Sequence, residues 1–472
     1  MSDIEAVLSK LGQERTRLSR IAGKRRLYLV GGTIRDILLE RNPADFDFAV
    51  AGSGVEFAKE FCRKTKSKLV VLSTEDDEAR VVCHKHIFDF NGLGDQTIQQ
   101  DLKRRDFTIN ALACEIFPDR IGEILDFCEG RKDLAERIIR PVSAGSLKAD
   151  PLRLLRAMRL ALELGLKVAE SVYAQGSSIS LGRTAAERIG KELLRIMEAS
   201  GSYKFLVRLY GLEKLHEILP DFVPVLEDKK LHHHMFQTYY KIEEIIAGES
   251  FFSRFEPEWR RYFDRWAALG PEANGLPYRR ALLKFSGLLH DIAKPQTRFV
   301  NSKGEVHFYG HDSLGAKIVG TMLRERLRLS GAQIKMVQVQ VKGHMRLHLL
   351  ATNRDLTDRA IRRFFRDSEE EAFGLMILCY ADGWATAGRT SHLVDTITRM
   401  IEQKRAEDAQ LKVRHFINGY DLIGFGLKPG PAFKVILQEL EDLQVEGKIN
   451  SKEEGIEYLK TNLPGLKQKE GD

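Results

Sequence analysis

The sequence predicts an α+β multidomain protein, in which an α/β domain with a mixed β-sheet comes first and helical domains follow. The chain has 472 residues. Because a single core seldom grows beyond roughly 250–300 residues, we expect at least two domains and up to four. Short apolar and alternating segments fill the chain up to about residue 140, and helical periodicity dominates from Asp150 onward. The hydrophobic content of 43% excludes a largely disordered chain.

The elements of the first domain are predicted in order from their patterns. The apolar run Leu27–Val30 ends at Gly31-Gly32, which predicts a buried strand and a tight turn. The spacing that follows predicts a helix with Thr33 as its N-cap. Asp45–Val50 alternates polar and apolar residues, so it predicts a strand with one polar face. A further helix is predicted at residues 55–64, and further strands at residues 68–72, 79–83 and 87–90.

The rest of the chain is predicted to be helical. Arg153, Arg156 and Arg159 recur every three residues, which predicts a basic stripe along one side of a helix. The charged run at residues 227–230 interrupts the helical pattern, and a last small helical block begins near residue 419. We therefore expect four domains, at residues 1–140, 141–225, 226–400 and 401–472.

Charge and cysteine content limit the class of protein. The formal net charge is +7 and the sequence pI is near 9.0, which suits a polyanionic partner but is also found in ordinary soluble proteins. The five cysteines form no CxxC pair, so we expect reduced thiols rather than a disulfide framework or a zinc site. Neither a signal peptide nor a run of roughly 18–20 apolar residues is evident. These features predict a cytoplasmic protein without membrane contact.

A pair of carboxylates follows the glycine turn. Asp45 and Asp47 are two positions apart on a predicted strand, so both can point to one face and bind one divalent cation. Mg²⁺ prefers such carboxylates together with phosphate oxygens. Gly31 and Gly32 offer backbone N–H groups and a helix start to a triphosphate. The pattern predicts metal-assisted displacement at a nucleoside triphosphate, and a solvated strand face is the alternative for the acidic pair alone.

Two further segments add candidate ligands. Asp89 lies between Phe88 and Phe90, and it is either a third catalytic carboxylate or part of a polar strand face. The basic run at residues 103–105 precedes Asp106 and an apolar segment. These residues could hold phosphates and a ribose hydroxyl, although a charge run alone is usually solvated surface.

The motifs resemble those of the bacterial-type (class II) tRNA nucleotidyltransferase and poly(A) polymerase family. The resemblance rests on Gly31-Gly32-Thr33-Ile34-Arg35-Asp36 with Asp45-x-Asp47, and on Arg104-Arg105-Asp106-Phe107-Thr108-Ile109-Asn110-Ala111. Segments at residues 126–134, 150–157 and 187–189 are similar to the family's next motifs. The resemblance is specific from Tyr28 to about Met197 and looser beyond.

The resemblance implies an architecture and a set of site residues. The four expected domains would be a nucleotidyltransferase head with a mixed sheet, an all-α neck, an HD-type helical body and a helical tail. Asp45 and Asp47 would hold Mg²⁺, and Asp150 and Arg153 would present hydrogen-bonding edges to the incoming base. The implied nucleotide-binding residues are Gly31, Gly32, Arg35, Arg104, Arg105, Asp106, Asn110, Asp150, Arg153, Arg156 and Arg159.

The sequence departs from the family pattern at two places. Ala149 precedes Asp150 where the family often has glutamate, so one contact to the base is missing or replaced. The stretch between Asp89 and Asp101 is short. Family members that add the full CCA end have a flexible loop between these motifs, and a short stretch resembles the enzymes that add only the two cytidines.

A second constellation resembles the HD metal-dependent phosphohydrolase superfamily. It comprises His290-Asp291 on a predicted helix, with His307, His311-Asp312, His344 and Asp382 further along the chain, and the candidate metal ligands among them are His290, Asp291, His311, His344 and Asp382. Imidazoles and carboxylates together suit a metal that activates water.

The HD family pattern also includes an earlier histidine, and the corresponding position here is predicted at Gln237-Thr238, just after a run of three histidines. Because glutamine is a poor transition-metal ligand, we expect a weakened or vestigial site. The body is therefore either a hydrolase or a structural, RNA-supporting domain.

The resulting functional hypothesis is a template-independent tRNA nucleotidyltransferase. It would transfer CMP and/or AMP from CTP and ATP to the tRNA 3′ end, either for the full CCA end or for the cytidines alone. One alternative is a poly(A) polymerase, which uses the same head chemistry. Another is an HD-domain metal-dependent phosphohydrolase whose head is a regulatory nucleotide binder, although Asp45 and Asp47 argue against it.

Overall fold

The computed structural model divides the chain into two compact units. The first unit comprises residues 1–232, 276–285 and 317–335, and the second comprises residues 233–275, 286–316 and 336–472. The structure describes residues 14–43, 45–83, 86–118, 120–248, 250–264, 278–352, 356–411, 416–427 and 430–466.

A seven-stranded mixed sheet forms the first part of the first unit. Its strands are β1 Leu27–Val30, β2 Asp45–Val50, β3 Lys68–Ser73, β4 Glu78–Cys83, β5 His86–Gly92, β6 Leu112–Ile116 and β7 Ile121–Asp126. Their order is β3-β4-β5-β2-β1-β6-β7. The pair β2–β5 is parallel, whereas β1 runs antiparallel to both β2 and β6. The prediction of a mixed-sheet α/β domain is confirmed, and β3 lies at an edge.

The alternation in β2 separates a buried face from a polar face. Phe46 and Phe48 are buried, and Phe48 stacks with Phe90 of β5 at 5.3 Å between ring centroids. Phe57 and Phe61 of the helix Gly54–Thr65 (α2) pack on the same face of β5. The aromatic layer fixes the register of β2, so its aspartates point to the opposite face.

The first predicted helix begins one residue earlier than its expected cap. Helix α1 spans Gly32–Leu38, its N-cap is Gly31, and no side chain caps it. Thr33 was expected to be that cap, and this prediction is wrong. Its hydroxyl instead donates to the carbonyl of Asp45 at 3.2 Å and accepts the N–H of Asp47 at 2.9 Å. Thr33 therefore ties α1 to the acidic strand.

Helices and two short strands complete the first unit. The helices are α3 Ile98–Arg104, α4 Gly130–Ala135, α5 Ser146–Ala149, α6 Arg153–Leu164, α7 Glu170–Ser177, α8 Ala186–Glu198, α9 Tyr203–Gly211, α10 Lys214–Ile218 and α11 Val223–Glu227. The strands β8 Ile138–Ile139 and β9 Lys167–Val168 pair in parallel. Gly190 of α8 lies so close to the chain at Leu327 that a Cβ there would overlap the Leu327 carbonyl.

The remaining elements are almost all helical, and most of them lie in the second unit. They are α12 Lys229–Ala247, α13 Glu256–Trp259, α14 Arg279–Leu289, α15 Lys294–Thr297, α16 His311–Leu327, α17 Gly331–Gly343, α18 Arg346–Thr352, α19 Asp358–Ser368, α20 Ala372–Ala387, α21 Ser391–Leu411, α22 Gly419–Gly424, α23 Pro431–Val445 and α24 Lys452–Leu466, with a hairpin of β10 Phe299–Val300 and β11 Val306–His307. Among the described residues, none of the helices has the length and apolar character needed to cross a membrane. The prediction of helical domains after the sheet is confirmed.

Candidate active site and histidine-rich centre

The turn after β1 forms the floor of the candidate active site. Gly31 has a φ of 68°, a conformation that favours glycine. A Cβ at Gly31 would lie 2.7 Å from Nη1 of Arg105, and one at Gly32 would lie 3.6 Å from Oδ2 of Asp47. The N–H of Gly31 donates to the carbonyl of Leu112 at 3.1 Å, so it is already engaged. The lack of side chains at both glycines keeps the space beside Arg105 and Asp47 open.

Three carboxylates meet on the polar face of the sheet. Asp45 and Asp47 lie on β2, and Asp89 is the direct register partner of Asp47 on β5. Arg80 of β4 forms a bidentate pair with Asp89, with both N–O distances at 2.8 Å. Its Nη2 is also 3.8 Å from Oδ2 of Asp45. The structure therefore brings together all three predicted acids, with one guanidinium beside them.

Crowding of these carboxylates changes their protonation. Burial, together with the negative charges of Asp89 and Asp45, raises the pKa of Asp47 to about 6, although Arg105 and Arg35 oppose the shift. Burial also raises the pKa of Asp45, against the effect of Arg80. Such a cluster of acids has a deficit of positive charge that a divalent cation would fill.

A hydrogen-bonded chain joins the glycine-turn motif to the Arg-Arg-Asp motif. Arg35 donates to Oδ1 of Asn110 at 2.7 Å, and the amide of Asn110 donates to Asp106 at 3.0 Å. Arg156 of α6 donates to the other oxygen of the Asp106 carboxylate at 3.2 Å. Asp106 is buried. These contacts hold Arg35 and Arg156 at the rim of the same space.

Arg153 is anchored to the backbone of the Arg-Arg-Asp motif. Its guanidinium donates to the carbonyls of Arg104 and Arg105 at 3.0 and 3.2 Å, and to the hydroxyl of Ser146 at 2.7 Å. Its Nε is buried and has no hydrogen-bond partner among the described residues. Arg105 itself pairs with Asp101 at 2.9 Å. The hydrogen bonds to Arg104, Arg105 and Ser146 therefore fix the position of Arg153 beside the site.

The structure groups most of the predicted nucleotide-binding residues around one cavity of about 1160 Å³. The predicted residues in its lining are Gly31, Gly32, Arg35, Asp45, Asp47, Arg104, Arg105, Asp106, Asn110, Arg153, Arg156 and Arg159.

Two members of the predicted set have other surroundings. Asp150 is not part of the cavity lining and pairs with Arg188 at 2.9 Å. Arg159 lines the cavity but is buried and pairs with Glu192 and Glu163. The basic stripe of α6 therefore consists of internally paired arginines rather than a free cationic face.

The connection between β5 and α3 is compact. Only residues 93–97 separate these two elements. Leu93 and Gly94 donate their N–H groups to the carbonyls of Val50 and Gly52, and Gln96 donates to Leu93. The short stretch predicted between Asp89 and Asp101 is thus a closed turn.

A second cluster of ionisable residues lies in the second unit. The Nε2 of His234 is 3.1 Å from Nε2 of His290 and 3.1 Å from Oδ1 of Asp382. Asp291 lies 3.3 Å from Nε2 of His290. His348 contacts the other oxygen of Asp382 at 3.0 Å. Two carboxylates and three imidazoles therefore converge at this side of the cluster.

Asp291 is shared with a second group of histidines. Its Oδ1 is 3.3 Å from Nε2 of His311 and 3.5 Å from Nε2 of His344. Oδ1 is buried and makes no hydrogen bond among the described residues. Two sets of potential metal ligands thus share this carboxylate, namely His234, His290 and Asp291, and Asp291, His311 and His344.

Backbone carbonyls orient the imidazoles of the cluster. The Nδ1 atoms of His290, His311 and His344 lie 3.0, 2.6 and 2.6 Å from the carbonyl oxygens of Gly287, Phe308 and Val341. This arrangement directs each Nε2 toward Asp291, as carbonyl contacts to the other ring nitrogen do for metal-binding histidines. Although burial opposes the change, Asp291 and Asp382 raise the pKa of His290, and the histidines hold the pKa of both acids well below the usual range.

The prediction that Gln237 replaces a histidine of this cluster is wrong. His234 lies one helical turn earlier on α12 and supplies an imidazole. The five predicted ligands meet, and His234 and His348 join them although neither was predicted. His307 instead contacts Asn301 at 3.1 Å. The run of three histidines before Gln237 and the i, i+4 spacing of His344 and His348 were signals that could have identified His234 and His348.

Two family models match the parts of the chain that carry most residues of the two clusters. A family model described as the Poly A polymerase head domain matches residues 27–140, and one described as the HD domain matches residues 260–385. The A-adding tRNA nucleotidyltransferase of Deinococcus radiodurans is 28% identical over 450 residues, covering 91% of this chain and 94% of the relative. The CC-adding tRNA nucleotidyltransferase of Thermus thermophilus is 29% identical over 444 residues, covering 91% and 92%.

A solved structure shares the fold. The Thermotoga maritima CCA-adding enzyme complexed with tRNA has a TM-score of 0.62 at 20% identity, and the match covers 98% of both chains. The fold similarity therefore extends over nearly the whole chain.

Proposed function

We propose that this chain, which belongs to the tRNA nucleotidyltransferase and poly(A) polymerase family, is a template-independent tRNA nucleotidyltransferase. It transfers CMP and/or AMP from CTP and ATP to the tRNA 3′ end. The observation that supports this proposal most directly is the row of three carboxylates beside a cavity of about 1160 Å³ lined with arginines. CTP, ATP and the tRNA 3′ end are the proposed partners. The proposed compartment is the cytoplasm, where these substrates are found.

The residues around the cavity have distinct proposed roles. Asp45 and Asp47, with Asp89 beside them, would hold Mg²⁺, which activates the 3′-hydroxyl and stabilises the departing pyrophosphate when bound. Arg35 and Arg105 border the open glycine turn and would bind the triphosphate.

Asp106 and Asn110 are positioned by their mutual hydrogen bond, and they would orient the ribose. Electrostatic positioning of this kind supplies most of the catalysis in phosphoryl transfer.

Base selection is assigned to Arg153. Its guanidinium lines the cavity and is held in place by the carbonyls of Arg104 and Arg105, and selection without a template strand requires such a fixed position. Arg153→Ala is expected to blur the choice between CTP and ATP more than it weakens tRNA binding. The kcat/KM ratio for the two nucleotides, measured with the tRNA Kd, tests this role. An unchanged ratio with weakened tRNA binding would contradict it.

The compact turn at residues 93–97 supports the narrower version of the proposal, in which only the two cytidines are added. No long loop is present between β5 and α3, where the family resemblance places the flexible loop that it associates with adenosine addition. Purified protein would be incubated with tRNA transcripts that end before the first C of CCA, after the second C, or after the A. CTP and ATP would be supplied singly and together, and product lengths read at single-nucleotide resolution.

The incubation series distinguishes the alternatives. Products that stop after two cytidines support the cytidine-only version, and addition of all three nucleotides supports the full CCA activity. A terminal A added only to transcripts that already end in CC would indicate transfer of AMP alone. Long adenosine tails on any RNA would show a poly(A) polymerase instead. The Asp45→Asn variant is the negative control, and the proposal fails if that variant retains addition.

The histidine-rich centre supports a second function, metal-dependent phosphohydrolysis. Its seven residues converge within hydrogen-bonding distance, and the orphaned Oδ1 of Asp291 fits a metal ligand. When bound, a divalent metal would activate water there. Phosphatase and phosphodiesterase assays with Mg²⁺, Mn²⁺ or Ni²⁺ test this function, with His290→Ala as the inactive control. Equal rates in both proteins would leave the body a structural role.

A further inference from the structure

The acidic site continues across the sheet as two cross-strand rows. One row joins Asp47 of β2, Asp89 of β5, Arg80 of β4 and Val70 of β3, each the direct register partner of the next. Register partners point to the same face of a sheet. This row therefore leads from the carboxylates through a guanidinium to an apolar side chain at the sheet edge.

The second row is parallel to the first. It joins Asp45, Ile87, Val82 and Lys68 in direct register. It leads from a carboxylate over two apolar side chains to a lysine. We call the surface formed by residues 68, 70, 80, 82 and 87 the open wing of the sheet.

The open wing is accessible, in contrast to the opposite face of β4 and β5. Val70 is 49% exposed and Val82 is 39% exposed. Their neighbours Ala79 and Val81 point to the other face and are fully buried, where α2 packs on β4 and β5. Exposed valines in line with a catalytic acid row are not needed for the core, so they are available to a ligand.

The size and chemistry of the open wing fit single-stranded RNA. Neighbouring strands lie about 4.8 Å apart, so the three steps from β2 to β3 span roughly 14 Å. This distance corresponds to about two nucleotides of an extended strand. Arg80 and Lys68 can neutralise phosphates, and Ile87, Val82 and Val70 offer apolar contact to base faces, as at sequence-tolerant single-strand sites.

We propose that the open wing binds the last two unpaired nucleotides of the RNA that is being extended, with its 3′-hydroxyl at Asp45 and Asp47. The proposal rests on the proposed nucleotidyltransferase function and identifies where its acceptor strand lies. The cavity beside Arg105 and Arg153 takes the nucleoside triphosphate, so the two substrates meet at the carboxylates from different sides.

Charge supports this path for the strand. The next row toward the cavity contains Asn91 and Glu78. Glu78 lines the nucleotide cavity, so this border would repel the phosphates of the acceptor strand, whereas the charged residues of the open wing are the cations Lys68 and Arg80. Arg80 pairs with Asp89 in the present structure, and it would exchange this partner for a phosphate when RNA and a metal ion bind.

The test uses Val82→Asp and Lys68→Glu in the full-length protein. Both positions are exposed, and neither touches the nucleotide cavity. Each variant is expected to raise the KM for tRNA by about fivefold or more and to leave the KM for CTP unchanged, since the added negative charge lies on the proposed acceptor path and outside the lining of the nucleotide cavity. Lys59→Glu on α2, which packs on the opposite face, is the charge-matched control and should behave like the unmodified protein.

A photocrosslink places the strand directly. RNA with 4-thiouridine at its last or penultimate position is expected to crosslink to a peptide within residues 68–89. Crosslinks only to other peptides, together with an unchanged KM for tRNA in both variants, would overturn the assignment. If the unmodified protein adds no nucleotide to any RNA, the proposed function itself fails, and the two failures are therefore distinguishable.

Discussion

At the residue scale, the ionised form of Asp47 is unfavourable in the folded protein. Asp47 is partly buried beside two other acids, and its pKa is raised to about 6 from an ordinary value near 4. Because the pKa is raised in the folded protein, the ionised side chain destabilises the fold above pH 6. That cost disappears as the pH falls toward the pKa of the unfolded chain.

Asp47→Asn is therefore expected to stabilise the metal-free protein while abolishing nucleotide addition. The gain should be about 1–2 kcal/mol at pH 8 and near zero at pH 4, after allowance for solvent screening. Urea unfolding at both pH values without Mg²⁺ measures it. Asp95→Asn, at an exposed acid of the same unit, is the control. A loss of stability at pH 8 would show that Asp47 is not destabilising.

Gly31 leaves space beside Arg105 because it has no side chain. Gly31→Ala would place a side chain at a φ of 68° and 2.7 Å from Arg105. We expect a loss of about 1–3 kcal/mol in unfolding free energy and a raised KM for CTP. Gly145→Ala is the control, since Gly145 has a negative φ and open space around it. Equal effects of the two substitutions would contradict the proposed role of the turn.

At the scale of elements, the close approach of α8 to the chain at Leu327 connects distant segments of the first unit. Gly190→Ala would force its Cβ into the Leu327 carbonyl, and we expect a loss of about 1–3 kcal/mol. Thermal unfolding measures the effect. Gly211→Ala, at a glycine of α9 with open surroundings, should be neutral or slightly stabilising. An unchanged melting temperature for Gly190→Ala would show that α8 and the chain at Leu327 can move apart without loss of stability.

The strand and helix patterns were predictable where local chemistry decides them. Asp45–Val50 and Leu27–Val30 form strands within the predicted bounds, and the helix predicted at 55–64 spans Gly54–Thr65. β6 and β7 were not predicted, because their position in the sheet depends on the pairing of β6 with β1 and of β7 with β6 rather than on a local pattern. The role of Thr33 was also missed, since its partners lie twelve and fourteen residues away.

At the scale of the whole molecule, the two candidate sites lie in different units and should be separable by mutation. His234→Ala removes a ligand that contacts His290 and Asp382, so hydrolysis should fall at least about tenfold. Nucleotide addition should be unchanged. Asp45→Asn should give the reverse pattern. Loss of both activities in either variant, with an unchanged melting temperature, would contradict the assignment of separate sites.

The sequence by itself determined the acids of β2, the glycine turn, the Arg-Arg-Asp motif and the His-Asp pair, because each motif is short and its chemistry depends on local spacing. Only the tertiary structure showed that Arg80 pairs with Asp89, that His234 completes the histidine cluster, and that Asp150 pairs with Arg188 outside the cavity lining. These facts depend on contacts between residues far apart in the chain. Packing of strands and helices decides such contacts, and local spacing does not.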